Sequence, residues 1–173
     1  MLRQAFENEG DRHRAVCLCG SGFGLYQETS ARIWPVKPTL LDSGVIVGLL
    51  DRSELHHTRC VAALEGLEGP LVTCEAVIAE SCYLLRELPG AAETVLENVE
   101  RGIFQIPFQL SRSANVVRQV MHKYRDLPVD FADACLVQLA DELNTGDILT
   151  LDRDFESYRW RKTRPFRLLI ALD

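Results

Sequence analysis

The sequence predicts an α/β domain built on a largely parallel sheet with helices on both faces. Three observations carry that prediction. Short apolar runs at Thr39–Asp42, Leu71–Thr73 and Ile148–Asp152 have the length and composition of buried strands. Longer segments between them place apolar side chains at helical spacing. The two kinds of signal alternate along the chain, which is the pattern of βαβ units.

Each element has its own reason. Thr39-Leu40-Leu41-Asp42 is an apolar run ending in an acid, and Ser43 to Leu50 continues into a helix or turn. Leu55 to Leu67 carries Val61, Leu64 and Leu67 on one helical face. Gly69-Pro70 introduces the second strand, and Val77 to Leu88 then reads as a helix closed by Pro89-Gly90. Ala91 to Arg101 is a further helix. Phe104, Ile106, Phe108 and Leu110 alternate with Gln105, Pro107 and Gln109. Pro107 lacks a backbone donor, so this strand belongs at an edge or a bulge. Ser113 is placed to cap a helix running to about Tyr124, with Val116, Val117, Val120 and Met121 apolar. Phe131 to Leu143 is the strongest helical run, and Asn144-Thr145-Gly146-Asp147 ends it. Phe166 to Ile170 makes a final strand.

Composition narrows the class. With 173 residues, 47% of them hydrophobic and 25% charged, the chain is one domain, or one domain and a tail, and not a disordered chain. The longest apolar stretch, Leu40 to Leu50, contains Asp42 and falls short of the ~20 residues a membrane span needs. MLRQAFENEGDRHR has no apolar h-region, so it is not a signal peptide, and a cytoplasmic protein is expected. None of the six cysteines forms a CxxC pair, and Cys74, Cys82 and Cys135 read as small core residues. Residues 1–38 show neither strand nor helix period and contain the loose GSGFG stretch. They are expected to be an extension, flexible or non-native and dispensable, with Val36 a candidate start and the domain running over residues 39–173.

The net charge of −6 (19 basic, 25 acidic residues) disfavours a bulk electrostatic nucleic-acid binder, unless carboxylates converge on a metal. Their placement allows that. Asp42 and Asp152 end two strands, at the sheet edge where open α/β folds bind ligands. Glu80 and Asp133 lie one turn into helices that start at the same edge. Four acids from distant segments are thus expected at one mouth, and hard oxygen donors without Cys or His suit Mg²⁺ or Mn²⁺. Singly each has a bland account. Asp130 and Asp133 fit an N-cap and a first-turn acid, Asp42 and Asp152 fit caps, and Glu80 fits a solvated helix position. Their joint placement is what distinguishes them.

LLDSGVIVGLLD, the VIAESCYLL helix, DFADACLVQLADE and ILTLDRDF together resemble the ordered signature of PIN-domain nucleases, over about residues 39–173. The resemblance implies a Rossmann-like three-layer α/β/α PIN domain with an acidic, metal-dependent site that cleaves RNA. It places catalytic and metal-binding roles on Asp42, Glu80, Asp133 and Asp152, with Asp130 and Asp154 as secondary ligands or water-positioning groups, and Thr150 and Ser43 as hydroxyls that orient ligands. Glu75 competes with Glu80, and the apolar helix following the VxxE pattern favours Glu80. Mg²⁺ or Mn²⁺ held there would activate water for in-line attack on phosphorus, leaving 5′-phosphate and 3′-hydroxyl ends.

The resemblance extends to the toxins of VapBC-type toxin–antitoxin pairs, which implies an RNA substrate, an antitoxin protein and a homodimer as partners. Two other readings stand beside it. One is a PIN-like binding or assembly module without catalysis, against which all four acids are present. The other is a DxD phosphotransferase or phosphatase using Asp152-Arg153-Asp154, although such a motif should open the domain on its first strand. Arg159, Arg161, Lys162, Arg164 and Arg167, interleaved with Trp160 and Phe166, form a basic run. It reads either as a solvated face or as an RNA contact through Arg159, Arg161 and Lys162 with a ring stacking on a base.

Overall fold

The computed structural model describes residues 34–171. Five short strands form one wholly parallel sheet: β1 (Thr39–Leu41), β2 (Leu71–Val72), β3 (Phe104–Gln105), β4 (Asp147–Leu149) and β7 (Arg167–Leu168), in the order β3-β2-β1-β4-β7. Two more strands, β5 (Arg159–Trp160) and β6 (Arg164–Pro165), pair as an antiparallel hairpin. Among the described residues six α-helices complete the α/β fold: α1 (Ser43–Leu50), α2 (His57–Leu64), α3 (Glu75–Leu84), α4 (Ala91–Glu100), α5 (Leu110–Lys123) and α6 (Phe131–Leu143). Among the described residues no helix is long and apolar enough to cross a membrane.

Parallel strands covered on both faces must be apolar throughout, and β1 and β2 are buried at every position. Their neighbours Val45, Ile46, Leu49, Leu136, Leu139, Ile148 and Leu149 are fully buried and join one core. The sheet reverses direction of growth between β1 and β4, and that switch point is where a ligand crevice opens beyond the carboxyl ends of the strands. Register pairs Leu40 with Ile148 and Leu41 with Leu149, so Asp42 leaves β1 beside Thr150 leaving β4.

Several boundaries differ from the pattern-based expectation, each for a tertiary reason. The strand carrying Pro107 lies at the sheet edge as expected, but pairing stops at Gln105. Helix α5 begins at Leu110, so Ser113 lies inside it and caps nothing. Its hydroxyl donates instead to Glu142 Oε1 of α6 at 2.5 Å. The basic run folds into the β5–β6 hairpin and turns its rings inward: Trp160 and Phe166 are only 6% and 7% exposed, so neither offers a face to a base.

The expectation that residues 1–38 form a dispensable extension lies, for residues 1–33, outside the described residues. Residues 34–38 pack on the domain. The Trp34 indole N–H donates to Gln105 Oε1 at 3.3 Å, Lys37 pairs with Asp147 at 3.2 Å, and the Pro38 carbonyl accepts from Thr145 Oγ1 at 2.7 Å.

Gly146 shows how tightly the hairpin is seated. A Cβ at this position would stand 2.1 Å from the Trp160 indole nitrogen, which donates to the Pro165 carbonyl at 2.9 Å. Gly146→Ala should therefore displace the ring and cost about 1–3 kcal/mol, the usual range for overpacking. A urea melt checks this, and wild-type stability would show that the ring is free to move.

Candidate active site

Five acids reach the switch-point crevice, and helix-capping chemistry positions four of them. Asp42 is the N-cap of α1, its Oδ1 accepting from the Ser43 N–H at 2.7 Å. Asp130 caps α6, accepting from the Asp133 N–H at 2.8 Å, while Asp133 Oδ2 accepts from the Asp130 N–H at 3.3 Å, a reciprocal capping box. Asp152 caps the short 3-10 helix Arg153–Glu156 by accepting from the Asp154 N–H at 2.8 Å. Glu80, half-buried on α3, comes within hydrogen-bonding reach of Ser43. Asp154 is more peripheral, with Asp152 as the acid whose charge it feels.

The bland capping roles are thus real, but capping explains neither the burial nor the crowding. Asp42 and Asp133 are 7% and 8% exposed. Asp42 Oδ2 accepts from Thr150 Oγ1 at 2.7 Å, and the same hydroxyl oxygen accepts from the Asp152 N–H at 2.9 Å. Thr150 therefore locks the exits of β1 and β4 together. On the other flank the fully buried Tyr158 donates its hydroxyl to Asp133 Oδ2 at 3.3 Å, and its ring packs on Tyr124 with centroids 5.0 Å apart.

Charge is disfavoured on Asp42, Glu80 and Asp133. Burial, then the charge of Asp130, pushes the Asp133 carboxyl up to about 7. Burial raises Asp42 as well, the hydrogen bonds from Thr150 and Ser43 oppose it, and Asp152 and Asp130 add to the rise. Glu80 is raised by burial and by Asp130 and Asp42. These couplings establish that Asp42, Glu80, Asp130, Asp133 and Asp152 share one electrostatic environment. Glu75, in the first turn of α3, instead projects its charge on Cys74 and Cys135.

The donor set fits a hard divalent cation: every group is a carboxylate or hydroxyl oxygen, and their mutual repulsion is what a cation neutralises. The cage is not preclosed. Among the described residues no three His, Cys, Asp or Glu side chains stand close enough as they are to enclose an ion.

The PIN domain family profile matches residues 39–161. The chain belongs to the PIN domain family. Ribonuclease VapC26 of Mycobacterium tuberculosis (strain ATCC 25618 / H37Rv) is 28% identical to this PIN domain over 116 residues, covering 66% of the chain and 86% of that protein. The crystal structure of M. tuberculosis VapC20, described as a sarcin-ricin loop cleaving toxin, superposes with a TM-score of 0.65 at 15% identity. It covers 73% of this chain and 99% of VapC20, a likeness of fold.

The basic run lies apart from the acids. Tyr158 touches Asp133 near the start of α6, whereas the Arg161 backbone N–H donates to the Asp141 carboxylate, eight residues further along the helix. At 1.5 Å per residue that is about 12 Å. Arg159 is half-buried, its guanidinium donating to the Glu156 and Tyr158 carbonyls at 2.7 Å each. Tyr158 itself escaped the sequence reading, since no local pattern ties it to an acid 25 positions earlier.

Two outcomes follow from this geometry. Thr150→Val leaves the Asp152 N–H without its acceptor and Asp42 without a buried donor, so it should destabilise by about 1–3 kcal/mol in denaturant melts, with Thr150→Ser near wild type. For Asp133 the folded state binds its proton more tightly than the unfolded chain, whose pKa is ~3.9. Metal-free stability should therefore fall as pH rises from about 4 to about 7. Asp133→Asn should flatten that slope in thermal melts taken across the window.

Proposed function

We propose that the protein is a divalent-metal-dependent endoribonuclease, the toxin of a toxin–antitoxin pair. The observation that carries this reading is the convergence of buried and half-buried, mutually repelling carboxylates from β1, α3, α6 and the β4 exit at the switch point of a PIN-domain sheet. The likeness to ribonuclease VapC26 supports RNA as the substrate, and the fold is shared with VapC20, a toxin.

Asp42, Glu80, Asp133 and Asp152 would hold Mg²⁺ or Mn²⁺, with Asp130 beside them and Asp154 at the periphery. When bound, the cation supplies Lewis-acid activation of water and neutralises charge at the scissile phosphate. The chain's own groups do the positioning. Thr150 holds Asp42 by one oxygen, Ser43 by the other, and Tyr158 with the Asp130 N–H orients Asp133. Among the described residues Asp130, Asp133 and Asp152 each accept hydrogen bonds on one oxygen, and the other is available to a cation. A phosphotransferase using Asp152 and Asp154 is disfavoured, because that pair sits on the 3-10 helix after the fourth strand.

Asp42→Asn or Asp133→Asn should abolish Mg²⁺/Mn²⁺-dependent cleavage of RNA in a gel assay, while circular dichroism reports an intact fold. Metal-free Tm should hold or rise, because each change removes a charge from the crowd. Asp154→Asn should lower the rate more mildly. Cleavage that persists in EDTA, or survives both substitutions, overturns the assignment.

A further inference from the structure

The β5–β6 hairpin presents cations from a backbone that is unfavourable for the residues it carries. Arg161 and Lys162 adopt φ of 43° and 69°, the left-handed region that Gly and Asn enter at least cost. The hairpin is nonetheless firmly built. The Arg159 N–H donates to the Tyr124 hydroxyl at 2.9 Å, the Trp160 indole is buried against Gly146, and the Arg161 N–H is held by Asp141. Strained residues on a rigid support mark positions where the side chain matters more than turn stability.

The cations of the run do not share one fate. Arg167 forms a two-bond pair with Asp147, at 2.9 and 2.7 Å, and the same carboxylate pairs with Lys37. Arg159 is satisfied by backbone carbonyls. Arg161, Lys162 and Arg164 are exposed, and among the described residues none of their side chains pairs with an acid, Asp141 being bonded to the Arg161 backbone N–H alone. Arg164 lies over the Trp160 ring, 5.0 Å from its centroid. Three cations therefore stand together on one tip of a chain whose net charge is −6.

We propose that Arg161, Lys162 and Arg164 form a phosphate-backbone exosite for single-stranded RNA, separate from the acidic mouth. The proposal rests on the ribonuclease reading for its choice of polyanion. The segment flanking and including β5 runs along α6 from Tyr158, at Asp133, to Arg161, at Asp141. A single RNA strand that leaves the mouth along α6 therefore reaches the tip after ~12 Å. With Trp160 and Phe166 buried, the exosite holds charge and reads no base.

The test is the affinity of full-length protein for a labelled single-stranded RNA 12-mer in EDTA, between 50 and 200 mM KCl, so that binding is read apart from cleavage. Each phosphate contact contributes about −0.7 to the slope of log K against log salt. The triple substitution Arg161→Gln, Lys162→Gln and Arg164→Gln should make that slope shallower by about 2 and weaken binding roughly tenfold at low salt. A second variant, Arg161→Asn with Lys162→Gly, separates charge from folding. It should melt at or above the wild-type temperature, because the backbone is relieved, yet bind RNA more weakly. Wild-type affinity and slope in both variants would overturn the exosite, as would loss of an acidic protein partner with RNA binding unchanged. Hairpin-dependent binding without cleavage in Mg²⁺ would instead sink the nuclease reading and leave the exosite standing.

Discussion

The parallel pairing of β1 with β4 is the constraint on which the site depends. Register sets Asp42 beside Thr150, and the Thr150 hydroxyl then uses both its donor and an acceptor lone pair, one toward Asp42 and one toward the Asp152 N–H. That atom joins segments 108 residues apart. Because the sheet reverses its order at this pairing, no strand crosses above it, and the helices that follow β1 and β2 open their first turns around the gap.

Capping and crowding act on the same side chains in opposite directions. An N-cap contributes about 0.5–2 kcal/mol and needs a single oxygen at a helix start. The mouth uses that requirement to deliver Asp42, Asp130 and Asp152 to one place, where burial and the neighbouring carboxylates penalise the charged forms of Asp42 and Asp133. Local stability at each helix end is thus obtained together with a collective electrostatic cost at the centre. Sites that break a stability rule in this way are where function is expected in an otherwise consistent fold.

Net charge alone misdescribes this surface. The excess of acids over bases is real, but carboxylates concentrate in the mouth while the hairpin tip carries cations. A polyanion would be repelled by the crevice unless a cation offset its carboxylates, and would meet positive charge at the tip about 12 Å along α6. Position therefore decides what the electrostatics favour, at distances comparable to the Debye length of ~8–10 Å.

The alternation of strands and helices, the edge position of the Pro107 strand and the acids at strand ends were legible in the sequence. Each rests on a signal spanning a few residues: a period, a missing donor, or a run that ends in an acid. PIN-domain membership was legible for the same reason, because the motifs are local and ordered. The length of β3, the start of α5 and the inward turn of Trp160 were not. Ser113 meets Glu142 from 29 positions away, and the Trp160 ring depends on the absence of a Cβ at Gly146. Tyr158 likewise joins the acidic site across 25 positions. Side-chain periodicity encodes which face of an element is buried. Which neighbour it is buried against is decided only when distant elements pack, and in this chain that packing made three residues of a basic run into a free tip and two of its rings into core.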